Sequence, residues 1–341
     1  MAPATLRDVA ALAGVSTATV SRVLNGSDRV DPGRRRAVEA AAKQLNYVTN
    51  VSARALRSRQ SMTWALLVDD LQSAFFSGLA DSLTQRALEH GRTLLIATTQ
   101  KDVQRERQVV AAMAARQVDG LFVVSASGDA TTARRVGSSD LPTVFVERYP
   151  TAMDGDVVTF DYYGAGRQQI DRLWQAGHRR IAFIGGNVLE DPGSRRIAAY
   201  RDGLRDHGVE PDEALIAVDT FWHTSGPALA RMLALPDPPT ALVVTVIPML
   251  VGVLRHLVSV GISLDVCCYE DIDVPELVPV PLTVIHGDLH ELARRAADTM
   301  VRRLSHPDEP FTTTVLDTVV SEHRPTTSLP QPADHPQPAN H

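Results

Sequence analysis

From Met62 onward the chain repeats one pattern, in which short apolar runs are separated by stretches with helical periodicity. The runs read WALLV, TLLIA, GLFVV, TVFVE, VVTF, RIAFIGG, LIAVD, ALVVT, VCCY and LTVIH. Strands that alternate with helices are joined by crossovers, and crossovers build parallel sheets with helices on both faces. Ten such strands fit two doubly wound sheets better than one. This predicts an α/β body of two subdomains, with a chain that crosses between them more than once. The cleft between the sheets is the expected place for a small ligand.

The first sixty residues have a different character. Thr5 followed by Asp8 approximates a capping box, and Leu6, Val9, Ala10 and Ala13 fall on one helical face. Gly14 permits the left-handed conformation of a sharp turn. Ser16 can cap a second helix, Thr17 to Asn25, whose inward face is Val20, Val23 and Leu24. Two short helices across a turn form a helix-turn-helix. Asp31 before Pro32 opens a third helix, with Val38, Ala41, Ala42 and Leu45 at core spacing. Asn50 can cap a fourth segment, VSARALRS, of only about two turns; helices this short are marginal without packing partners. Residues 50 to 58 are therefore expected to be disordered until something holds them.

Charge separates the same two regions. The chain carries a formal net charge of -6, yet residues 1 to 60 hold ten Arg or Lys against four Asp or Glu, leaving 24 against 36 elsewhere. A basic head on an acidic body suggests that a polyanion meets the head. On the second helix, Thr17, Ala18, Thr19, Ser21 and Arg22 lie outside the apolar face. Threonine methyls and alanine can touch a thymine methyl in the major groove, and the arginine fork matches guanine N7 and O6. A small αα-hairpin buried in a core would use the same spacing.

Other functions find little support. Cys267 and Cys268 are adjacent, which suits neither a structural disulfide nor a metal site and points to a reducing compartment. The opening MAPATLRDVAALAG lacks a basic region followed by an apolar run, and no apolar stretch is long enough to span a bilayer. Asp69 and Asp70 are neighbours at a strand end and point to opposite faces, so they cannot share one substrate. GxSxG, HExxH, P-loop and GxGxxG motifs are missing from the contexts they require. No catalytic residue, cofactor or metal is expected; His335 and His341 are too loosely placed to bind one, and His178 reads as structural.

TLRDVAALAGVSTATVSRVLNG, followed by VDPGRRRAVEAAAKQLNYVTNVSARAL, closely resembles the DNA-binding headpiece of the LacI/GalR family of transcriptional regulators across positions 5 to 56. The resemblance continues more loosely to about Thr327 through EHG, RQVDGLFVVS, GHRRIAFIGG and PTALVV. It implies an N-terminal all-α helix-turn-helix headpiece (1–49), a hinge helix (50–60) and a periplasmic-binding-protein-like core of two doubly wound parallel-sheet subdomains (61–328). A proline-rich tail (329–341) would be disordered. The protein would be a cytoplasmic, nucleoid-associated regulator, most simply a repressor of metabolic genes. It would bind a palindromic operator on double-stranded DNA as a homodimer or a dimer of dimers, under control of a small-molecule effector.

The same resemblance places DNA contacts at Thr5, Ser16, Thr17, Ala18, Thr19, Ser21, Arg22, Asn25, Asn50, Ala53, Arg54, Leu56 and Arg57. Leu56 would wedge into the minor groove, with bent DNA offsetting the unstacking, and Arg54 and Arg57 would neutralise phosphates. Effector contacts would fall on Phe75, Phe76, Arg148, Asp161, Arg196, Phe221, Trp222 and Glu270. Several positions depart from the family pattern on the ligand side. Val246 and Ile247 replace an Asn-Asp pair, CYED replaces Gly-Phe-Asp-Asp, the loop GISLDV is short, and Tyr162 replaces an asparagine beside Asp161. Lost polar partners leave sugar hydroxyls unpaired at about 1 to 3 kcal/mol each, which argues against a simple monosaccharide. The alternatives are control by a protein co-regulator, loss of effector response, and a periplasmic binding protein, although the last class carries an export signal and no basic head.

Overall fold

A computed structural model describes residues 4–24, 30–45, 47, 61–126, 141–148, 155–186, 192–270, 272 and 275–325. The chain divides into two compact units, Met1–Met62 and Thr63–His341. Asn25, the short fourth segment with Asn50, Ala53, Arg54, Leu56 and Arg57, and the tail 329–341 lie outside the described residues.

The first unit contains α1 (Leu6–Ala13), α2 (Thr17–Leu24) and α3 (Pro32–Gln44). Thr5 and Asp8 form a complete capping box at the start of α1, and Gly14 ends it at φ 64°. The Thr19 amide donates to Ser16 Oγ at 3.2 Å, and Asp31 accepts from the Gly33 and Arg34 amides at the start of α3. Val9, Ala10, Val20, Val23, Val38 and Ala41 close a small core, with Leu24, Ala42 and Leu45 packed at its margin.

The second unit runs β1 (Thr63–Val68), α4 (Ala74–Glu89), β2 (Thr93–Thr98), α5 (Val103–Ala115), β3 (Gly120–Val123), β4 (Thr143–Val146), β5 (Asp156–Phe160), α6 (Tyr162–Gln175), β6 (Ile181–Ile184), α7 (Gly193–Asp206), β7 (Ile216–Ala217), α8 (Trp222–Leu233), β8 (Ala241–Val244), α9 (Ile247–Val260), β9 (Asp265–Tyr269), β10 (Leu282–His286), α10 (Leu289–Ser305), β11 (Thr313–Leu316) and β12 (Val319–His323). Two six-stranded sheets result, in the orders β11-β5-β4-β3-β1-β2 and β12-β10-β9-β8-β6-β7. Alternate residues divide each strand between two helical layers. Trp64, Leu66 and Val68 join α4 and α10, whereas Ala65 and Leu67 join α5. In the second sheet, Phe183, Val243 and Cys267 face α6 and α7, while Ala182, Val244 and Cys268 face α8 and α9.

Among the described residues, every pairing is parallel except β12 against β10. The chain passes between the sheets after β5, after β10 and after β11, each time at the strands' carboxyl ends. β10 runs toward that edge and β12 runs away from it, so the antiparallel pairing follows from the third crossing. The LIAVD run forms only a two-residue strand, because Glu213–Leu215 turns as a 3-10 helix before it. No helix among the described residues is long and apolar enough to cross a membrane.

Candidate functional site

In the first unit, α1 and α3 supply the floor on which α2 lies, and burial of Val20 and Val23 fixes which face of α2 is turned outward. Thr17, Ala18 and Arg22 are exposed on that face, with Thr19 and Ser21 half-buried beside them. Ser16 Oγ and Thr19 Oγ1 lie 2.9 Å apart, which fixes the helix start. Arg7, Arg34, Arg36 and Lys43 are also exposed, so the outer surface of this unit is strongly basic.

In the second unit, the carboxyl ends of both sheets carry the polar groups. Among the described residues, four of the six non-glycine residues with positive φ stand there: Gln100 and Lys101 after β2, Glu147 after β4 and Asp219 after β7. Such backbone costs about 1 to 3 kcal/mol per residue and clusters at functional sites.

The innermost cluster centres on Arg196 of α7, which is 5% exposed. Its guanidinium lies 4.2 Å from the Tyr162 ring centroid and 4.9 Å from that of Tyr269. Nη1 donates to the Thr245 carbonyl at 3.1 Å, and Nη2 is 4.0 Å from Glu147 Oε1. Tyr162 donates its hydroxyl to the same Glu147 oxygen at 2.5 Å. Gly166 makes room for this packing, since a Cβ there would meet the Tyr269 hydroxyl oxygen at 2.3 Å and the Ala199 methyl at 2.7 Å. Glu147 Oε2 and Arg196 Nε are buried and have no hydrogen-bond partner among the described residues.

Burial pushes the Glu147 carboxyl up to about 7, against the pull of Arg196, the Tyr162 hydroxyl and Arg148. Burial also raises Glu270, opposed by the Ile247 amide, Arg196 and Lys101. Arg196 stays firmly charged: burial opposes its cationic form, but Tyr162 and Glu147 more than offset it. Burial lifts the thiols of Cys267 and Cys268, leaving them inert.

The other expected ligand contacts are placed as follows. Asp161 accepts the Gly164 amide at 2.8 Å and caps α6. Glu270 accepts the Ile247 amide at 2.9 Å and caps α9. Buried Arg148 is turned onto Asp69, whereas Asp70 accepts the Gln72 and Ser73 amides. Phe75 and Phe76 pack edge to face, half-buried at the start of α4. Phe221 and Trp222, at the start of α8, are 63% and 56% exposed. Sequence reasoning did not single out Glu147 or Tyr269; the available signal was a polar group closing an apolar strand in VFVE and an aromatic closing VCCY. His178 bridges Thr240 and Asp265, in keeping with a structural role.

Residues 5–50 match the model for bacterial regulatory proteins of the lacI family, and residues 170–323 match a periplasmic binding protein-like domain. The chain is 33% identical over 314 residues to the HTH-type transcriptional regulator CelR of Thermobifida fusca, covering 88% of this chain and 92% of the relative. It is 30% identical to the ribose operon repressor of Escherichia coli strain K12, covering 89% of this chain and 94% of the relative. A solved CelR-cellobiose complex superposes with a TM-score of 0.69 at 30% identity, covering 93% of this chain and 98% of that one. The operator-bound Lac repressor dimer shares the fold with a TM-score of 0.84 at 24% identity, covering 93% of this chain and 97% of that one.

Proposed function

The chain belongs to the lacI family of bacterial regulatory proteins, and from that premise we propose that it represses metabolic genes by binding a palindromic operator as a dimer. It is a DNA-binding transcriptional regulator and not an enzyme. The observation that carries the reading is the outward face of α2, where Thr17, Ala18 and Arg22 stand exposed on a basic, independently packed unit. Residues 1–49 act as the headpiece, 50–60 as the hinge, 61–328 as the effector and dimerisation core, and 329–341 as a tail.

DNA contacts in the headpiece fall to Thr5, Ser16, Thr17, Ala18, Thr19, Ser21, Arg22 and Asn25. Asn50, Ala53, Arg54, Leu56 and Arg57 engage the operator centre, and such contacts make affinity strongly salt-dependent. The effector is a sugar derivative or another metabolite held at the carboxyl ends of the two sheets, around Phe75, Phe76, Arg148, Asp161, Arg196, Phe221, Trp222 and Glu270. A DNA-binding regulator of this kind works in the cytoplasm, on the nucleoid.

Genome-wide mapping of bound sites, followed by mobility-shift titration of the recovered sequence against random duplex, tests the proposal. A pseudo-palindrome bound about a thousandfold or more above random duplex is expected. Equal affinity for both would reject it.

A further inference from the structure

Tyr162 stands between two buried groups of opposite charge. Its hydroxyl takes up one oxygen of Glu147, and its ring covers one face of the Arg196 guanidinium. Tyr269 lies against the same guanidinium, and Nη1 is committed to the Thr245 carbonyl. Tyr162, Glu147 and Arg196 are each exposed by less than a tenth. Among the described residues, Glu147 Oε2 and Arg196 Nε are buried without a hydrogen-bond partner, and Arg196 Nη2 stands 4.0 Å from Glu147 Oε1. With the Tyr162 ring over the guanidinium and its hydroxyl on Glu147 Oε1, a polyhydroxyl ligand reaches these atoms only by displacing that ring. A sugar ring that stops short of the pair would bury hydroxyls without those partners.

The nearby carboxyl edge of the second sheet also presents apolar groups. Val246 and Ile247 begin α9 half-buried, and the polar group beside them, Glu270, is committed to the Ile247 amide. Exposed Phe221 and Trp222 offer broad apolar faces at the same edge.

We propose that Tyr162 is a specificity-determining residue that closes the inner end of the cleft from within the chain, barring free monosaccharides from the Glu147–Arg196 pair. Effectors then seat outside it, against Val246, Ile247, Phe221 and Trp222 at the carboxyl edge of the second sheet. The inference rests on the reading of this cleft as the effector site and narrows it, with Arg196 acting from behind Tyr162 instead of by direct contact.

The test is calorimetric titration of the full-length protein with D-glucose, D-galactose and D-ribose, alongside Tyr162→Asn and Tyr162→Phe, with folding followed by circular dichroism. The wild type and Tyr162→Phe, which keeps the ring, should be silent toward all three sugars. Tyr162→Asn should bind at least one of them, at least about tenfold more tightly than the wild type. A folded Tyr162→Asn that stays silent, or a wild type that binds a free aldose, overturns the proposal. If Tyr162→Asn does not fold, Tyr162→Phe carries the test: continued silence supports the ring as the barrier, and binding overturns it. Operator binding by the wild type is measured in parallel, so the regulator reading and the role of Tyr162 can fail separately.

Discussion

Arg148 Nη2 donates to Asp69 Oδ2 at 2.5 Å, tying the carboxyl end of β4 to that of β1 across the intervening β3. Both side chains are buried, and Thr99 Oγ1 lies 3.5 Å from the other Asp69 oxygen. The pair is a strap across the first sheet. Removing one partner leaves the other charge stranded in a poorly solvated site.

Asp69→Ala should therefore lower the unfolding free energy of the second unit by about 3 to 5 kcal/mol. Urea denaturation followed by tryptophan fluorescence reads this directly, because Trp64 lies on β1 itself. A change within about 0.5 kcal/mol of the wild type would mean that the strap adds nothing.

The Glu147 carboxyl gives a second expectation. It ionises near 4.5 ordinarily and near 7 in the folded protein. The folded state thus binds the proton more tightly, and the stability this group contributes is greatest below pH 4.5 and is lost as pH rises through about 7. Arg196, Tyr162, Arg148 and Glu270 act on the same carboxyl and set where that window lies. Melting temperatures of Glu147→Gln and the wild type should diverge across this range, with the wild type losing ground as pH rises. Parallel curves would remove Glu147 as the source.

Arg22 is exposed on the outward face of α2. Replacing it with alanine should cost about 1 to 3 kcal/mol of operator affinity and relax preference at one base pair. Uniform weakening over a series of single-base operator variants would assign Arg22 to phosphate instead.

Gly14 ends α1 at φ 64°. An alanine there meets no neighbour within 4 Å, so the cost is purely that of a left-handed backbone. Gly14→Ala should destabilise the first unit by about 1 to 2 kcal/mol. Amide exchange of α1 and α2 measures it, and unchanged protection would show that the turn relaxes freely.

The local signals in the sequence proved reliable where one residue caps its own helix. Thr5 with Asp8, Ser16 with Thr19, and Asp31 before Pro32 all do what their spacing suggests. Strands buried on both faces, such as β1 and β9, were visible as apolar runs. β11 and β12 were not, because both are partly exposed sheet edges and read as TTVL and VVSEH, without an apolar block. The site was partly legible. Arg196 lies at its centre, but a sequence cannot distinguish a carboxylate that caps a helix, as Asp161 and Glu270 do, from one left with an open oxygen, as in Glu147. That difference depends on which distant segment arrives alongside, just as Arg148 meets Asp69 from 79 positions away.

The last two strands lie at the outermost positions of different sheets, joined by residues 317 and 318 alone. A translation product halted near position 310 would lose the border of both subdomains in one stroke, exposing the flanks of β5 and β10 together. Damage to the final tenth of the gene would thus be felt throughout the body, and neither subdomain could be cloned as one uninterrupted fragment.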